Sequence, residues 1–476
     1  MKLLLLNPPS YKNFDSGASS RWPATREIVS FWYPVWLCYP AGLIPESRVL
    51  DAPADGLDVH QVLSIASQYD GIVIFTSTPS LQKDIEFTEF LKKNHPGKPI
   101  IGFVGPHPTV LPEETLQSCE AIDFVVRREF DYPLQELAQG KPLHMIQGLS
   151  YRQNGKIVHN PDRPLIEDLD SLPFVTPIYH RDLNYKNYSI PFLLYPYIAL
   201  FSGRGCPGRC IYCLWPQTIS DHRFRTRSPE NVVAEIEGAL KLFPDVAEFY
   251  FDSDTFTANS EWVLEFCERI KPLHITWSGT SRANVSYEML KKMKEAGLRL
   301  LVAGYESGNA TILKNIKKGV SLEQMRRFTL DCKKLGILIH GAFILGLPEE
   351  SHESIEDSIR FACELDPDTI QVSLAAVFPG TAFHQMCEEN GYFVSDNLVD
   401  AQGYQTFNLK YNGIESREIY EAIETFYKRF YYRPKRLVKI IFKMIIDPVE
   451  RRRRLKEAKE FNYFLRHRRQ MLKQWR

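Results

Sequence analysis

The sequence predicts two α/β units in tandem followed by a basic helical tail, and three observations lead to that reading. Short apolar runs alternate with segments of helical spacing over residues 1–150, and the same alternation returns over 196–395. Between the two series, residues 151–195 are rich in Pro, Asp, Asn and Tyr, the composition of a small hairpin and linker. Beyond residue 395 the pattern turns helical and basic: from Lys428 to Arg476, 18 Lys and Arg face 4 Asp and Glu. The chain of 476 residues has room for about three domains.

The first series opens with a buried strand at Lys2–Leu6, stopped by Asn7-Pro8-Pro9-Ser10. A long loop rich in aromatics and proline leads to a second strand at Arg48–Asp51. A helix over Val59–Gln68 follows, with Val59, Val62, Leu63 and Ala66 on one face. Gly71–Phe75 is a third strand, Leu81–Lys93 a helix and Pro99–Val104 a fourth strand. A helix near Glu113 and a strand at Asp123–Val126 complete a Rossmann-like, doubly wound parallel sheet, which binds ligands at the carboxyl ends of its strands. The second series places strands at Tyr197–Phe201, Glu248–Phe251, His274–Ser278, Leu300–Ala303, Ile337–Phe343 and Thr369–Leu374. Helices such as Ser228–Phe243 and Ser321–Leu335 lie between them. About six βα units predict a full or partial barrel with its chemistry on the loops after the strands.

Composition narrows the class. At 44% hydrophobic and 24% charged the chain folds around sizeable cores, which excludes disordered and collagen-like proteins. Its 58 basic and 58 acidic residues balance, so no global field draws it to nucleic acid. The apolar run at Leu3–Leu6 is too short for a signal peptide, and no run is long enough to span a membrane, so a cytoplasmic protein is expected. Nine cysteines scattered along the chain fit a reducing compartment better than a disulfide framework.

Three of those cysteines carry the strongest signal. Gly203-Arg204-Gly205-Cys206-Pro207-Gly208-Arg209-Cys210-Ile211-Tyr212-Cys213 sets three thiols on a glycine-rich loop directly after a strand. Soft thiolates suit iron–sulfur clusters or zinc. Three on one tight loop suit three corners of a [4Fe–4S] cluster, leaving one iron open for chemistry. Zinc sites usually pair two ligands with two more, and the only close histidine is His222. A non-enzymatic zinc-binding protein is the contrasting class. Cys38, Cys119, Cys267, Cys332, Cys363 and Cys387 read as packing residues.

This spacing after a barrel's first strand resembles the radical S-adenosylmethionine (SAM) superfamily. The resemblance implies metal ligands Cys206, Cys210 and Cys213, SAM chelated at the open iron, and reductive cleavage to a 5′-deoxyadenosyl radical. An external electron donor of the flavodoxin or ferredoxin type follows as a partner. Phe251-Asp252-Ser253-Asp254-Thr255-Phe256 resembles the family's paired-acid motif, and Gly304-Tyr305-Glu306-Ser307-Gly308 a motif whose Glu-Ser pair lies near SAM. Phe343–Glu350 resembles the adenine segment and Phe378-Pro379-Gly380-Thr381 the last barrel loop. The SAM-site residues implied are Tyr212, Asp254, Arg282, Gly304, Glu306, Ser307 and Gly346, with Asp252 an alternative to Asp254. A doubly wound domain before such a barrel resembles the cobalamin-binding subclass. Ser77, Thr78 and the turn Gly105-Pro106-His107-Pro108 sit where that fold meets the corrin. The Asp-x-His-x-x-Gly loop of one strong cobalamin pattern is absent, its place taken by Asn7-Pro8-Pro9-Ser10-Tyr11. Both cobalamin binding and a domain that has kept only the fold stay open.

Three further stretches narrow the resemblance: Asn7-Pro8-Pro9-Ser10 with Arg26–Pro34, Leu214–Asn231, and Phe426–Pro434. Together they resemble the J-type (HpnJ) family of hopanoid-associated radical SAM proteins over the whole chain. That resemblance implies contraction of the glucosamine head group of bacteriohopanetetrol to a cyclitol ether. A cobalamin-dependent radical methyltransferase acting on a lipid or tetrapyrrole is the alternative. Residues expected to orient the sugar over the barrel mouth are His222, Arg223, Arg225, Arg227, Tyr305 and His340, with a surface ion pair or a core position as the plainer reading of each. In the tail, Lys435–Ile446 mixes cations with apolar residues at helical spacing, and Arg451–Arg454 and Arg466–Arg469 follow. Such a segment suits either peripheral contact with an anionic inner membrane or a helical cap on the barrel. It carries no aromatic stacking motif for RNA.

Overall fold

The computed structural model describes residues 1–12, 14, 28–411, 413–446, 451, 454–463 and 465–466. Arg26 and Glu27, Arg452 and Arg453, and the stretch 467–476 lie outside the described residues.

Four consecutive leucines fix the place of the first strand, β1 (Leu3–Asn7). All four are fully buried, Leu3 and Leu5 in one apolar core and Leu4 and Leu6 in a second. A strand covered on both faces belongs in a parallel sheet between two layers. β1 pairs in parallel with β2 (Ser47–Asp51) and β3 (Gly71–Phe75), and the run continues through β4 (Ile100–Val104) to β5 (Phe124–Val126). An antiparallel hairpin of β6 (Leu149–Gln153) and β7 (Lys156–His159) extends it to seven strands in the order β2-β1-β3-β4-β5-β6-β7. Strand order reverses between β1 and β3, the switch point at which such sheets take ligands.

The expected loop before β2 holds a helix instead, Val35–Leu43, with Pro40 inside it. Pro34 and Pro40 made this stretch read as irregular. Burial of Trp36, Leu37, Cys38 and Tyr39 between the two units outweighs the hydrogen bond that Pro40 forfeits.

The second unit is a six-stranded parallel sheet in the order β8-β11-β12-β13-β14-β15, curled into a half-barrel. Its strands are β8 (Tyr197–Leu200), β11 (Glu248–Phe251), β12 (Trp277–Arg282), β13 (Leu298–Glu306), β14 (Leu338–Leu345) and β15 (Thr369–Leu374). Two short strands, β9 (Gly203–Arg204) and β10 (Arg225–Thr226), form an antiparallel hairpin outside it. β12 starts three residues later than expected, because Pro272 lies in a 3₁₀ turn and His274 closes that turn in the left-handed conformation. Ser278 and Arg282 therefore belong to the strand itself.

Among the described residues β8 and β15 do not pair, so the sheet has two edges. β15 does not meet a further strand. Its free N–H groups at Ile370 and Val372 donate to the hydroxyls of Tyr431 (3.1 Å) and Tyr427 (2.9 Å). Both tyrosines stand on α3 (Ser416–Tyr431), whose Ile419, Tyr420, Ile423, Phe426, Tyr427 and Phe430 form one buried stripe. α4 (Pro434–Ile446) follows it.

The front unit shares a buried polar contact with the linker. Asp51, at the end of β2, accepts from Asn7 Nδ2 at 2.7 Å and from Tyr188 OH at 2.9 Å. Burial pushes its carboxyl up to about 7, against the pull of those two donors. The folded state thus holds a proton that the unfolded chain releases near pH ~4. Its stabilising effect is complete below that pH and is lost as pH rises towards 7. Asp51→Asn is expected to flatten this part of the decline in melting temperature between pH 5 and 8, measured by thermal unfolding in a buffer series.

Candidate active site

The loop between β9 and β10 carries the three cysteines. Cys206 and Cys210 are buried and Cys213 is half-buried. Burial pushes the Cys213 thiol well up, and Asp254, Cys210 and Cys206 push it further. Three thiols so close together become thiolates readily only around a cationic group, which is the demand an iron–sulfur cluster meets. Among the described residues no three Cys, His, Asp or Glu side chains group as ligands of a single metal ion. His222 instead donates from Nδ1 to the carbonyl of Gly208 at 2.7 Å, bracing the loop.

Neighbouring strand ends hold this loop in place. Asp254, after β11, accepts from the Gly205 N–H at 3.0 Å and from Ser220 Oγ at 2.9 Å. Thr255 Oγ1 lies 3.2 Å from Cys206 Sγ. Ser253, which stands where an acid is common in the paired-acid motif, accepts from the Ser202 N–H at 2.8 Å. α2 (Leu214–Thr218) supplies Gln217, whose Nε2 donates to the carbonyls of Ile211 (2.9 Å) and Cys213 (2.8 Å) while its Oε1 accepts from Ala382 N–H at 2.7 Å. One amide thereby ties the loop to the last barrel turn.

At the end of β13, Glu306 takes a left-handed φ of 64°, a conformation that costs a non-glycine residue energy and that collects at functional sites. Its Oε1 accepts from Lys318 Nζ at 2.7 Å, and both residues are buried. Burial pulls the Lys318 ammonium down, but Glu306 and Cys210 outweigh it and the net shift is upward. Gly304 leaves the room for this pair, because a Cβ there would meet Glu306 Oε1 at 2.3 Å and Lys318 Nζ at 2.9 Å. Burial, with Glu306 next, holds the Tyr212 hydroxyl well above its ordinary range, and Tyr212 bonds to that carboxylate. Arg282 reaches the carbonyl of Lys318. Its guanidinium lies against Gly208, where an added Cβ would stand 2.6 Å from it. Tyr212, Arg282, Gly304, Glu306 and Lys318 thus converge beside the cysteine loop at the carboxyl ends of the strands. Ser307 is fully buried, its Oγ 3.1 Å from Ser358 Oγ. Gly346, just past β14, accepts from Tyr411 OH at 3.1 Å and donates to Glu350 at 3.2 Å.

The residues expected over the barrel mouth divide. Arg225 is buried in a bidentate pair with Glu129 of the front unit, at 2.8 and 2.9 Å. Arg227 is buried against Glu235 at 2.6 Å, and Arg223 forms an exposed pair with Glu167. Tyr305 turns to the outer face of the sheet and bonds Thr329. These four face structural partners: Tyr305 because side chains alternate across a strand, Arg225 through a carboxylate of the front unit, and Arg227 and Arg223 through carboxylates of their own unit and of the linker. His340 lies inside the half-barrel near its amino-terminal end. His222 bonds to the cysteine-bearing stretch itself, at Gly208.

The front unit brings a second polar cluster towards the barrel. α1 (Pro106–Val110) follows β4 and packs against α2, and Val110 lies against Gly380 of the last barrel loop. Gly105 has φ 120°, and a Cβ there would stand 2.2 Å from the Thr76 carbonyl, so only glycine keeps this close turn. Ser77 Oγ is 3.2 Å from Ser80 Oγ. His107 Nδ1 is 3.0 Å from Thr78 Oγ1, while its buried Nε2 has no hydrogen-bond partner among the described residues. Burial lowers this imidazole to about 4, so it is neutral at pH 7. An unpartnered buried nitrogen beside a glycine-only turn, at the carboxyl ends of β3 and β4, fits a large polar-edged cofactor between the units.

Sequence reasoning missed Lys318, Gln217 and Thr255. Thr255 sits in a quoted motif. Gln217 sits in the quoted stretch Leu214–Asn231 and bonds to carbonyls only four and six residues back, whereas Lys318 lies in no quoted motif.

The radical SAM superfamily model matches residues 200–362, and the B12 binding domain model matches residues 21–138. An uncharacterized methyltransferase of Pyrococcus horikoshii is 32% identical over 462 residues, covering 93% of this chain and 95% of its own. The anaerobic magnesium-protoporphyrin IX monomethyl ester cyclase of Rubrivivax gelatinosus is 27% identical over 453 residues, covering 90% of this chain and 77% of its own. Among solved structures, the radical SAM methyltransferase TsrM of Kitasatospora setae, with cobalamin and a [4Fe–4S] cluster bound, superposes with a TM-score of 0.67 at 14% identity, covering 91% of this chain and 90% of that one. These matches overturn the non-enzymatic zinc-binding alternative.

Proposed function

The chain belongs to the radical SAM superfamily, in the group with a B12-binding domain ahead of the barrel, and from that premise we propose that it remodels the sugar head group of a membrane lipid. Its cofactors are a [4Fe–4S] cluster, SAM and cobalamin. The specific reading is contraction of the glucosamine head group of bacteriohopanetetrol to a cyclitol ether. When bound, the cluster and SAM supply one-electron cleavage and hydrogen abstraction; an electron and a proton then replace the abstracted hydrogen, so that substrate and product are isomers.

The protein's own part is placement. Cys206, Cys210 and Cys213 hold the cluster, braced by Gln217, Asp254 and His222. Glu306, Lys318, Tyr212 and Arg282 form the polar wall that orients SAM beside it. The packed half-barrel excludes water from the reacting centre.

The observation that carries the lipid reading is α4. Val438, Ile441, Phe442, Ile445 and Ile446 are all more than half exposed on this one helix. No described helix is long and apolar enough to cross a membrane. An exposed apolar helix in a tail rich in Lys and Arg suits an anionic bilayer surface. The same segment also caps the barrel, because Arg433 and Arg436 turn inward to Asp366. Sedimentation with anionic phospholipid vesicles at low salt is expected to carry the protein down. Phe442→Asp is expected to weaken that partition about ten-fold or more, from the apolar burial it forfeits. Equal sedimentation of this variant would remove the membrane contact.

A second reading, methyl transfer, is favoured by the name of the Pyrococcus relative. Anaerobic product analysis separates the two. Reconstituted protein would receive SAM, reductant and glucosaminyl bacteriohopanetetrol. 5′-Deoxyadenosine with a lipid of unchanged mass and new retention supports ring contraction. S-adenosylhomocysteine with a lipid one methyl heavier supports the methyltransferase reading.

A further inference from the structure

A cavity of about 450 Å³ lies at the amino-terminal end of the half-barrel, away from the cysteine loop. His340 is the third residue of β14 and Thr369 the first of β15, and both line it. Its opposite wall comes from α3, α4 and a helical stretch over residues 454–463. Much of the lining is apolar or aromatic, with Trp32, Phe192, Tyr427, Tyr431, Phe461 and Met444 around the space, and charged side chains such as Glu424, Lys428, Arg454 and Glu457 also belong to the wall. Phe192 stacks on the His340 ring with centroids 4.2 Å apart. The volume is in the range of a site for a drug-sized ligand.

The His340 side chain in the wall presents a polar atom to the space. His340 Nδ1 is 2.8 Å from Thr369 Oγ1, whereas its buried Nε2 makes no hydrogen bond of good geometry among the described residues, and the Gln371 side chain also approaches the ring from the neighbouring strand. A buried polar atom left unpaired costs stability unless something else satisfies it. Burial lowers the ring to about 4 against the opposing pull of Gln371, so at pH 7 it offers a neutral contact, suited to a hydroxyl and not to an anion.

The distance to the reaction centre sets the ligand's shape. From His340 to Leu345 β14 advances five residues, about 17 Å at ~3.3 Å per residue. A molecule that fills the chamber and reaches the carboxyl ends of the strands must be elongated, apolar at one end and polar at the other. α4 forms part of the wall through Ile440 and Met444, and its Ile441, Phe442 and Ile445 are exposed. One helix thus connects the chamber to the apolar surface.

We infer that this chamber holds the fused-ring apolar body of an amphiphilic lipid, with His340 Nε2 bonded to a hydroxyl near the junction with the polar head. The inference rests on the lipid reading above and adds to it where the lipid's body sits. Its test is a binding measurement that needs no turnover. Bacteriohopanetetrol without its sugar would be titrated into holoenzyme and followed by tryptophan fluorescence. Wild type is expected to bind one molecule saturably. Met444→Trp, which fills the space, should weaken binding ten-fold or more, with SAM affinity and iron–sulfur absorbance unchanged. Met444→Ala should keep the affinity, and His340→Leu should lower it about three- to ten-fold, the worth of one hydrogen bond. Wild-type affinity in Met444→Trp would overturn the chamber assignment, whatever the enzyme does to the sugar. Lipid binding that follows this pattern in an enzyme that leaves the sugar ring intact would keep the chamber and overturn the ring contraction.

Discussion

Cys206→Ala is expected to yield a folded but colourless protein whose turnover falls to background. Cys206 is buried and its sulfur touches Thr255, so its loss opens only a small space at the rim of the half-barrel. The fold does not depend on that sulfur, because Gln217, Asp254 and His222 brace the loop through backbone groups. The cluster does depend on it, since two thiols cannot hold three irons. Iron content, the broad visible absorbance and 5′-deoxyadenosine release should fall together while circular dichroism stays unchanged. Full turnover by this variant would remove the radical SAM assignment of the loop.

Glu129→Ala is expected to cost about 3–5 kcal/mol of stability, the usual loss when one partner is removed from a buried ion pair. Glu129 holds Arg225 in two bonds, lies 3.3 Å from Arg204, and accepts from the Ile166 N–H at 2.7 Å. All three charged residues are buried. Burial pushes the Glu129 carboxyl up, but Arg204 and Arg225 outweigh it and the net shift is downward. A depressed folded value contributes stability above about pH 4.5 that disappears as pH falls through that value. Urea titration should show the midpoint falling sharply for Glu129→Ala and less for Glu129→Gln. The gap from wild type should narrow in acid. An unchanged midpoint would mean that the seam between the units carries no net stability.

What the sequence showed of this molecule follows from the range of the interactions involved. Strands buried on both faces, such as Leu3–Asn7 and Glu248–Phe251, advertise themselves as continuous apolar runs, and the cysteine loop is a contiguous motif. Contacts between distant segments leave no such trace. Lys318 reaches Glu306 only because the chain after β13 folds back over its strand end. Arg225 and Tyr305 stand beside informative motifs, yet their partners Glu129 and Thr329 lie far away in sequence. The helix Val35–Leu43 was hidden by its own prolines and aromatics, which suit a loop until both units close over them.

The tyrosine-capped edge of β15 bears on how the chain is cut. A fragment ending near residue 395, where the alternating pattern stops, would lack Tyr427 and Tyr431 and leave the amides of Ile370 and Val372 bare. A bare strand edge recruits another strand, so the shortened protein would self-associate edge to edge and precipitate. Helix 416–431 therefore works as a surrogate seventh strand made of side chains, and the smallest soluble catalytic fragment must include it.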